Sequence, residues 1–414
     1  MQDRPEPAKL APMLAILVAL SPFSLDLYLP SLPTIAAVFN ADIHLIELSI
    51  STYLVGMALG QLLGAPLSDR NGRRPLALIG LVIFLFATIG IIFCQTAEQL
   101  LWLRLAQALG GGCATVNSAA IVRDLYDEVD TARMFSLISM IMMAAPLIAP
   151  AVGAVMLHFF GWRSVFVLLA GYALVVIVVV IFKLPETVPE RQRSSSIAGA
   201  LREIAGSFSL VMSRRRAVGF ALCTALAQGS MFAFLTDSAF VYIEYFGVSP
   251  SVFPALFAGN IVVLMIVNRF NYALLRRYHP RRILPYGSLA QVFCTVILFA
   301  YAYFFDATIY VFASLIMLSI GCLGLVVSNA FSSYMSYFAR NAGIANAVGG
   351  TLRAIVGALV GIAIAVMHDG TLLPMTAGMM ITSILAALLV VILRMAQRRE
   401  YTKPDPTAKP DPGI

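Results

Sequence analysis

Charge is what this sequence lacks. Only 12% of its 414 residues are charged while 60% are hydrophobic, a balance that no soluble domain of this length tolerates. The chain therefore reads as an integral membrane protein. Cysteine and histidine are also scarce, and their positions exclude further classes. Cys94, Cys113, Cys223, Cys294 and Cys322 all fall inside apolar segments, with no pair at metal-ligand spacing and none in an exposed loop, so they read as small core residues. His44, His158, His279 and His368 lie in or beside loops, which suggests neither a metal site nor an intramembrane histidine relay. No nucleotide-binding loop of the Gly-x-x-x-x-Gly-Lys-Ser/Thr type occurs, which argues against direct coupling to ATP. No nucleophile–base constellation points to an enzyme. Met1 to Leu10 lacks a cleavable signal pattern and leads straight into an apolar run.

What the chain has instead is apolar runs separated by short polar connections. They count as twelve spans: 12–33, 46–67, 75–94, 99–121, 133–158 and 164–183, then 216–246, 252–276, 284–304, 307–335, 344–366 and 374–395. The expected fold is an all-α membrane protein with twelve transmembrane helices in two six-helix pseudo-repeat bundles. The expected domains are 1–183 and 216–395, joined by a cytoplasmic linker over 184–215 and followed by a disordered tail over 396–414. Within the linker Ile197, Leu201, Ile204, Phe208 and Val211 recur at helical spacing, the pattern of an amphipathic helix on a membrane face.

Orientation follows from the basic residues. Of the 28 Lys and Arg, all but four fall at the termini or the even-numbered loops. Arg104, Arg269 and Arg353 lie within spans, and Arg163 stands in an odd-numbered loop. By the positive-inside rule both termini are expected in the cytoplasm. The formal net charge of +7 is then a mark of topology rather than a footprint for nucleic acid. Two such halves are the arrangement of parallel-repeat secondary transporters, whose substrate site lies between the halves and whose energy comes from an ion gradient.

Asp26 stands in Ser24-Leu25-Asp26-Leu27-Tyr28-Leu29-Pro30, in the middle of the first span. A carboxylate there must be paired, face a wet cavity or be protonated for part of its time. The competing reading is a hydrogen-bonded strut near the kinks at Pro22 and Pro30. Arg104 lies about five residues into the fourth span and needs a polar partner or water. Asp237, in Phe234-Leu235-Thr236-Asp237-Ser238, is the second isolated acid, on the repeat partner of the helix that carries Asp26. A second proton site, a ligand for a cationic substrate and a residue of the outer mouth are all open to it. Glu47 and Glu244 lie near helix ends and are expected in solvent. Arg269 is expected to snorkel, and the role of Arg353 is left open.

The first short basic loop reads Ala65-Pro66-Leu67-Ser68-Asp69-Arg70-Asn71-Gly72-Arg73-Arg74-Pro75, a set of charges and a turn glycine suited to latching helix ends in one state. It resembles the signature loop of the major facilitator superfamily, with Ala65 where the family usually has glycine. Arg104-Leu105-Ala106-Gln107-Ala108-Leu109-Gly110 resembles the fourth-helix motif of proton-coupled drug exporters, and Ala149-Pro150-Ala151-Val152-Gly153-Ala154 is similar to the fifth-helix antiporter motif. Asp26 to Pro30, Val122 to Tyr126, Phe240 to Glu244 and Ser328-Asn329-Ala330 resemble the bicyclomycin and chloramphenicol resistance subfamily of bacteria. Two departures stand out: Asp237 where the subfamily carries a small uncharged residue, and Ser336-Tyr337 where relatives carry acids.

The resemblance implies a proton-coupled antiporter that exports small amphiphilic drugs across the bacterial inner membrane by alternating access. Asp26, Arg104 and Asp237 are the candidates for proton coupling. In this reading Asp69, Arg70, Gly72 and Arg73 form the cytoplasmic gate. Aromatic walls with a few polar groups suit a drug cavity, and Tyr28, Tyr53, Asn117, Phe232, Phe234, Tyr242, Asn260 and Asn329 are the candidates for it. The expected cofactor list holds no metal and nothing beyond the proton as coupling ion. The expected partners are a small-molecule drug and the lipid bilayer, with the protein acting as a monomer. Export of an endogenous metabolite, such as an amino acid or siderophore, is a rival within transport, and a non-transporting membrane sensor is a rival outside it.

Overall fold

The fold is that of a computed structural model, which describes residues 7–126, 128–188, 205–206, 208–338 and 342–401. Long apolar runs have one way to satisfy their backbone in lipid, which is to close every hydrogen bond within a helix. Among the described residues twelve helices result that are each long and apolar enough to cross a membrane. We number them α1 (Leu10–Phe39), α2 (Ile43–Asn71), α3 (Arg73–Phe93), α4 (Ala97–Val122), α5 (Arg133–Phe160), α6 (Trp162–Lys183), α7 (Arg215–Tyr245), α8 (Phe253–Leu275), α9 (Pro280–Phe304), α10 (Ile309–Met335), α11 (Ala345–Met367) and α12 (Leu373–Ala396). Their bounds fall within a few residues of the hydropathy reading except at the ends of α1 and α2, which run longer. The helix that contains α12 continues to Tyr401, into the segment expected to be a disordered tail. Of the apolar residues of the amphipathic linker segment, Ile197, Leu201 and Ile204 lie outside the described residues, Phe208 packs against the core and Val211 is buried in it.

Local chemistry sets the turns between spans. Asp42 caps α2 by accepting a hydrogen bond from the His44 backbone N–H at 3.0 Å, and Thr96 does the same for α4 through Gln99. α1 is not continuous. Its regular turns stop at Asp26, and the chain resumes through a short 3-10 turn over Leu29–Ser31 with Pro30 in it. Proline has no N–H to give and its ring crowds the preceding turn. The break is held from outside by α5, where a Cβ added to Gly153 would stand 1.7 Å from the Leu27 carbonyl oxygen. Only glycine admits that approach, so one residue of the fifth-helix motif seats α5 on the break beside Asp26. At the other repeat position, α7 ends in a π-helical stretch over Phe240–Tyr245, a distortion that often marks a functional site.

The two halves meet along α2 with α11 and along α5 with α8. At Gly361 an added Cβ would come within 2.3 Å of Ser51 Oγ on α2, so the halves are in tight contact there. The molecule therefore has an arginine-rich end, with the even-numbered loops, and an arginine-poor end, where the halves close on one another.

Candidate functional site

Three polar clusters carry the candidate residues. The first is built around Arg104, which is fully buried. Its Nη1 donates to Ser24 Oγ at 2.9 Å and to Gln107 Oε1 at 2.6 Å, and its Nη2 donates to the Ser24 carbonyl at 3.1 Å. The guanidinium lies 4.3 Å from the centres of both the Tyr28 and Tyr53 rings, a cation held between two aromatic faces. Gln107 passes the chain on to Thr88 at 2.7 Å, and Tyr28 reaches Ser49 at 2.9 Å. A buried cation is thus satisfied by neutral acceptors and π faces from α1, α2, α3 and α4. Tyr28 and Tyr53, expected on a drug cavity, are spoken for here: they pack on Arg104.

Asp26 sits two residues from Ser24, yet Arg104 does not pair with it. Among the described residues Asp26 has no hydrogen-bond or ion-pair partner, and it is 6% exposed. The polar partner that Arg104 needs is Ser24, not Asp26: the helix turns at this point so that Ser24, one side-chain face away, takes the guanidinium. The strut reading of Asp26 fails for the same reason, since a strut needs a bond. What remains is an unpaired acid at a helix break.

The second cluster closes the arginine-poor end. Glu47 on α2, expected in solvent, is 0% exposed, with its Oε2 3.1 Å from His44 Nδ1. Asp237 on α7 is 0% exposed as well. His368, just beyond α11, places its Nδ1 3.6 Å from Asp237 Oδ1. The His44 and His368 rings stack across the halves with centres 3.2 Å apart, and Phe240 stands edge-on to both. The two isolated acids of the sequence are therefore not brought together: Asp26 belongs with the first cluster's helix, Asp237 with the closure. His44 and His368 do lie beside loops, but the sequence did not signal that they meet. At a loop end the two, far apart in sequence, fold onto one another. Outside the spans, Asp369 is held below the usual carboxylate range by the hydroxyl of Thr371, which donates to it at 2.6 Å.

The third cluster lies at the arginine-rich end. Gly72 takes φ of 101° and turns α2 into α3. Arg73 pairs with Asp69 one turn back and with Asp124 at 3.3 Å, and it donates to Ser68 at 2.7 Å. The Glu186 carboxylate accepts from the backbone N–H groups of Arg73 at 3.0 Å and Arg74 at 3.2 Å, an anion on the N-terminus of α3. Arg70 lies in the last turn of α2. In the second half Arg214 donates to the Tyr337 carbonyl and Arg281 to Ser336 Oγ. Each latch described here joins residues of one half or ties the linker to it, and none of them bridges the two halves.

The remaining candidates are dispersed. Phe234 and Tyr242, with ring centres 6.0 Å apart, join Phe253 and Phe257 in a buried aromatic group of α7 and α8. Phe232 packs on Gly357 of α11. Asn117 bonds to the Cys113 carbonyl of its own helix, Asn260 to that of Leu256, and Asn329 to Asn271 at 2.8 Å. Each of these three asparagines keeps a buried carbonyl oxygen without a partner. Arg269 is exposed against Tyr272, and Arg353 stands over the Phe331 ring.

Residues 14–362 match the Major Facilitator Superfamily. The chain belongs to that superfamily. As a member it is a membrane transporter and not an enzyme. An uncharacterized MFS-type transporter of Bacillus subtilis, YdgK, is 32% identical over 92% of this chain and 94% of its own length. A bicyclomycin resistance protein homolog of Haemophilus influenzae is 29% identical over 87% of this chain and 90% of its own. The multidrug resistance protein MdtL of Vibrio parahaemolyticus is 30% identical over 80% and 82%. These relatives agree with the subfamily that the motifs resemble. Among solved structures, the partially occluded inward-open xylose transporter XylE from E. coli superposes with a TM-score of 0.71 at 14% identity, over 97% of this chain and 99% of that one. A D-xylose–proton symporter gives 0.73 at 15% identity, over 93% and 97%. At those identities the likeness is one of fold.

Sequence reading missed His44, Glu47, His368 and Glu186 as site residues. His44 and Glu47 carried a signal, the i, i+3 spacing that puts both on one helix face. Glu186 and His368 carried none, because each meets its partners only through the packing of distant helices.

Proposed function

We propose that this transporter is a proton-coupled antiporter that exports small amphiphilic drugs of the phenicol or bicyclomycin type. It works as a monomer in the inner membrane of a bacterium, with both termini in the cytoplasm and no cofactor beyond the coupling proton. The observation that carries the reading is Asp26: buried, at a helix break, and without a partner that its protonation would break. Such a carboxyl group can gain and lose a proton without dismantling the protein around it. Arg104, fixed by Ser24, Gln107 and two tyrosines, holds the break in place and supplies a permanent positive charge nearby.

In the cycle Asp26 takes up a proton while open to the periplasm and releases it to the cytoplasm as the drug binds. One net charge moved inward through 100 mV releases about 2.3 kcal/mol, which supports a roughly fifty-fold drug gradient when coupling is complete. The arginine-poor closure, α2 on α11 and α5 on α8, parts to admit the outward state, and the loop of Asp69, Arg70, Gly72 and Arg73 latches the cytoplasmic side. Phe232, Phe234, Tyr242, Asn117, Asn260 and Asn329 are the groups offered to the drug as that packing opens, with Tyr28 and Tyr53 acting through Arg104. The names of the relatives, bicyclomycin resistance and multidrug resistance, support the substrate class. The test is drug-dependent proton release from proteoliposomes. Wild type releases protons when drug is added and Asp26→Asn does not; release unchanged in Asp26→Asn overturns the reading.

A further inference from the structure

We propose that the arginine-poor closure holds a transition-metal ion of the zinc class between His44, Asp237 and His368, and that the bound ion clamps the two halves together. The inference rests on neither the coupling proton nor the drug.

Geometry comes first. One ligand atom from each of the three residues lies within 4.8 Å of the others, and His368 Nδ1 is 3.6 Å from Asp237 Oδ1. Ligands of a tetrahedral zinc ion, with bonds of about 2.0–2.1 Å, stand about 3.4 Å from one another. The set thus needs a contraction of at most about 1.4 Å overall and about 0.2 Å between His368 and Asp237. Two imidazole nitrogens and one carboxylate oxygen are the donors that Zn2+ and its first-row neighbours prefer, whereas Mg2+ and Ca2+ take oxygen cages. Water fills the fourth position.

The second observation is the state of the side chains. Asp237 is fully buried, and neither of its carboxylate oxygens has a hydrogen-bond partner; both ring nitrogens of His368 are likewise unpartnered, and its side chain is 3% exposed. Buried polar groups are normally bonded, because leaving one bare costs about 1–3 kcal/mol. A buried carboxylate and a buried imidazole without conventional hydrogen bonds, one ligand atom of each converging with one of His44, form a donor set suited to a cation. The surrounding charge has the right sign. Glu47, Asp42, Glu244 and Asp369 act on this cluster, so a divalent ion there relieves a concentration of acids. Glu47 Oε2, 3.1 Å from His44 Nδ1, adds a carboxylate directly behind one ligand ring, the kind of support that metal-binding histidines use.

The consequence follows from where the ligands originate. His44 comes from α2 in the first half, Asp237 from α7 and His368 from the α11–α12 connection in the second. An ion held by all three exists only while the halves touch, so binding stabilises the closed arginine-poor end by mass action.

The test uses the full-length protein, purified, freed of any histidine tag and stripped with chelator. Zn2+ alone is titrated in competition with a chromogenic chelator, with Mg2+ as the comparison cation. Expected are one Zn2+ per chain, no competition from Mg2+, and at least ~10-fold weaker binding in His44→Ala and in His368→Ala. Gel filtration checks that each variant is folded. X-ray absorption at the zinc edge on the wild-type protein decides independently of any variant: imidazole and oxygen donors support the site. Sulfur donors would assign the metal instead to Cys294 and Cys322, which lie in contact, and overturn it. No zinc binding by wild type, or equal binding in both folded variants, also overturns it.

Discussion

The Arg104 cluster and the arginine-poor closure are both buried, both polar and both expensive in lipid, yet they are built on opposite plans. Arg104 is a cation surrounded by neutral acceptors and aromatic faces, all from the first half, with one donor, Nε, left over. The closure is a set of acids and imidazoles drawn from both halves, each carboxylate facing an imidazole, at 3.1 Å for Glu47 and 3.6 Å for Asp237. The first arrangement is closed, but for that one donor, within the first half. The second spans both halves, so it exists only while they touch. A transporter needs one of each: a fixed point that survives the cycle, and a contact that does not.

Removing Arg104 tests the first plan most severely. Arg104→Ala strands Ser24, Gln107 and two tyrosine faces in the interior, and the expected loss is about 3 kcal/mol or more, read as a large fall in melting temperature of the purified protein. Arg104→Lys keeps the charge but loses the planar fork and is expected to fall between. A melting temperature untouched by Arg104→Ala would erase the contrast between the clusters.

Gly153 comes next, because the added methyl meets the Leu27 carbonyl with no room to relax. Gly153→Ala is expected to cost about 1–3 kcal/mol and to loosen the α1 break, measured by faster hydrogen exchange around Leu27. Exchange unchanged there would mean that α5 does not hold the break.

At the closure the sign reverses. Glu47→Gln removes one acid from a group of acids, so metal-free protein is expected to gain about 1 kcal/mol rather than lose it, again by thermal melting. A loss comparable to that of Arg104→Ala would show the closure to be as fully bonded as the first cluster.

The smallest effect on stability belongs to Asp26→Asn. With no partner to lose, the variant is expected to melt within about 0.5 kcal/mol of wild type while losing its drug-dependent proton release. A marked destabilisation would reveal a bond to Asp26 and move it from the working group to the scaffold.

Much of this was legible in the residues. Asp26, Arg104 and Asp237 stood out because a charge in an apolar run has no cheap explanation, and the Ala65 to Pro75 loop announced its turn through Gly72. The pairings were not legible. Arg104 needed a polar partner that its sequence neighbours did not name, and it took Ser24; Tyr28 and Tyr53 looked like cavity walls and sandwich a guanidinium. Glu47 looked solvated from its place near a helix end, since distance along one helix says nothing about the second half arriving to cover it.

By itself the sequence determined the twelve helices and the unequal distribution of arginine between the two ends. Both depend on local sums: apolar length against the bilayer, backbone bonds closed within each helix, and basic residues counted loop by loop. Which side chains meet was decided only by the tertiary structure. His44 and His368 are separated by nearly the whole chain, and no periodicity links them; they touch because α2 and α11 pack side by side across the two halves. A helix fixes its own faces, but the partner that each face finds is set by how twelve of them fit together.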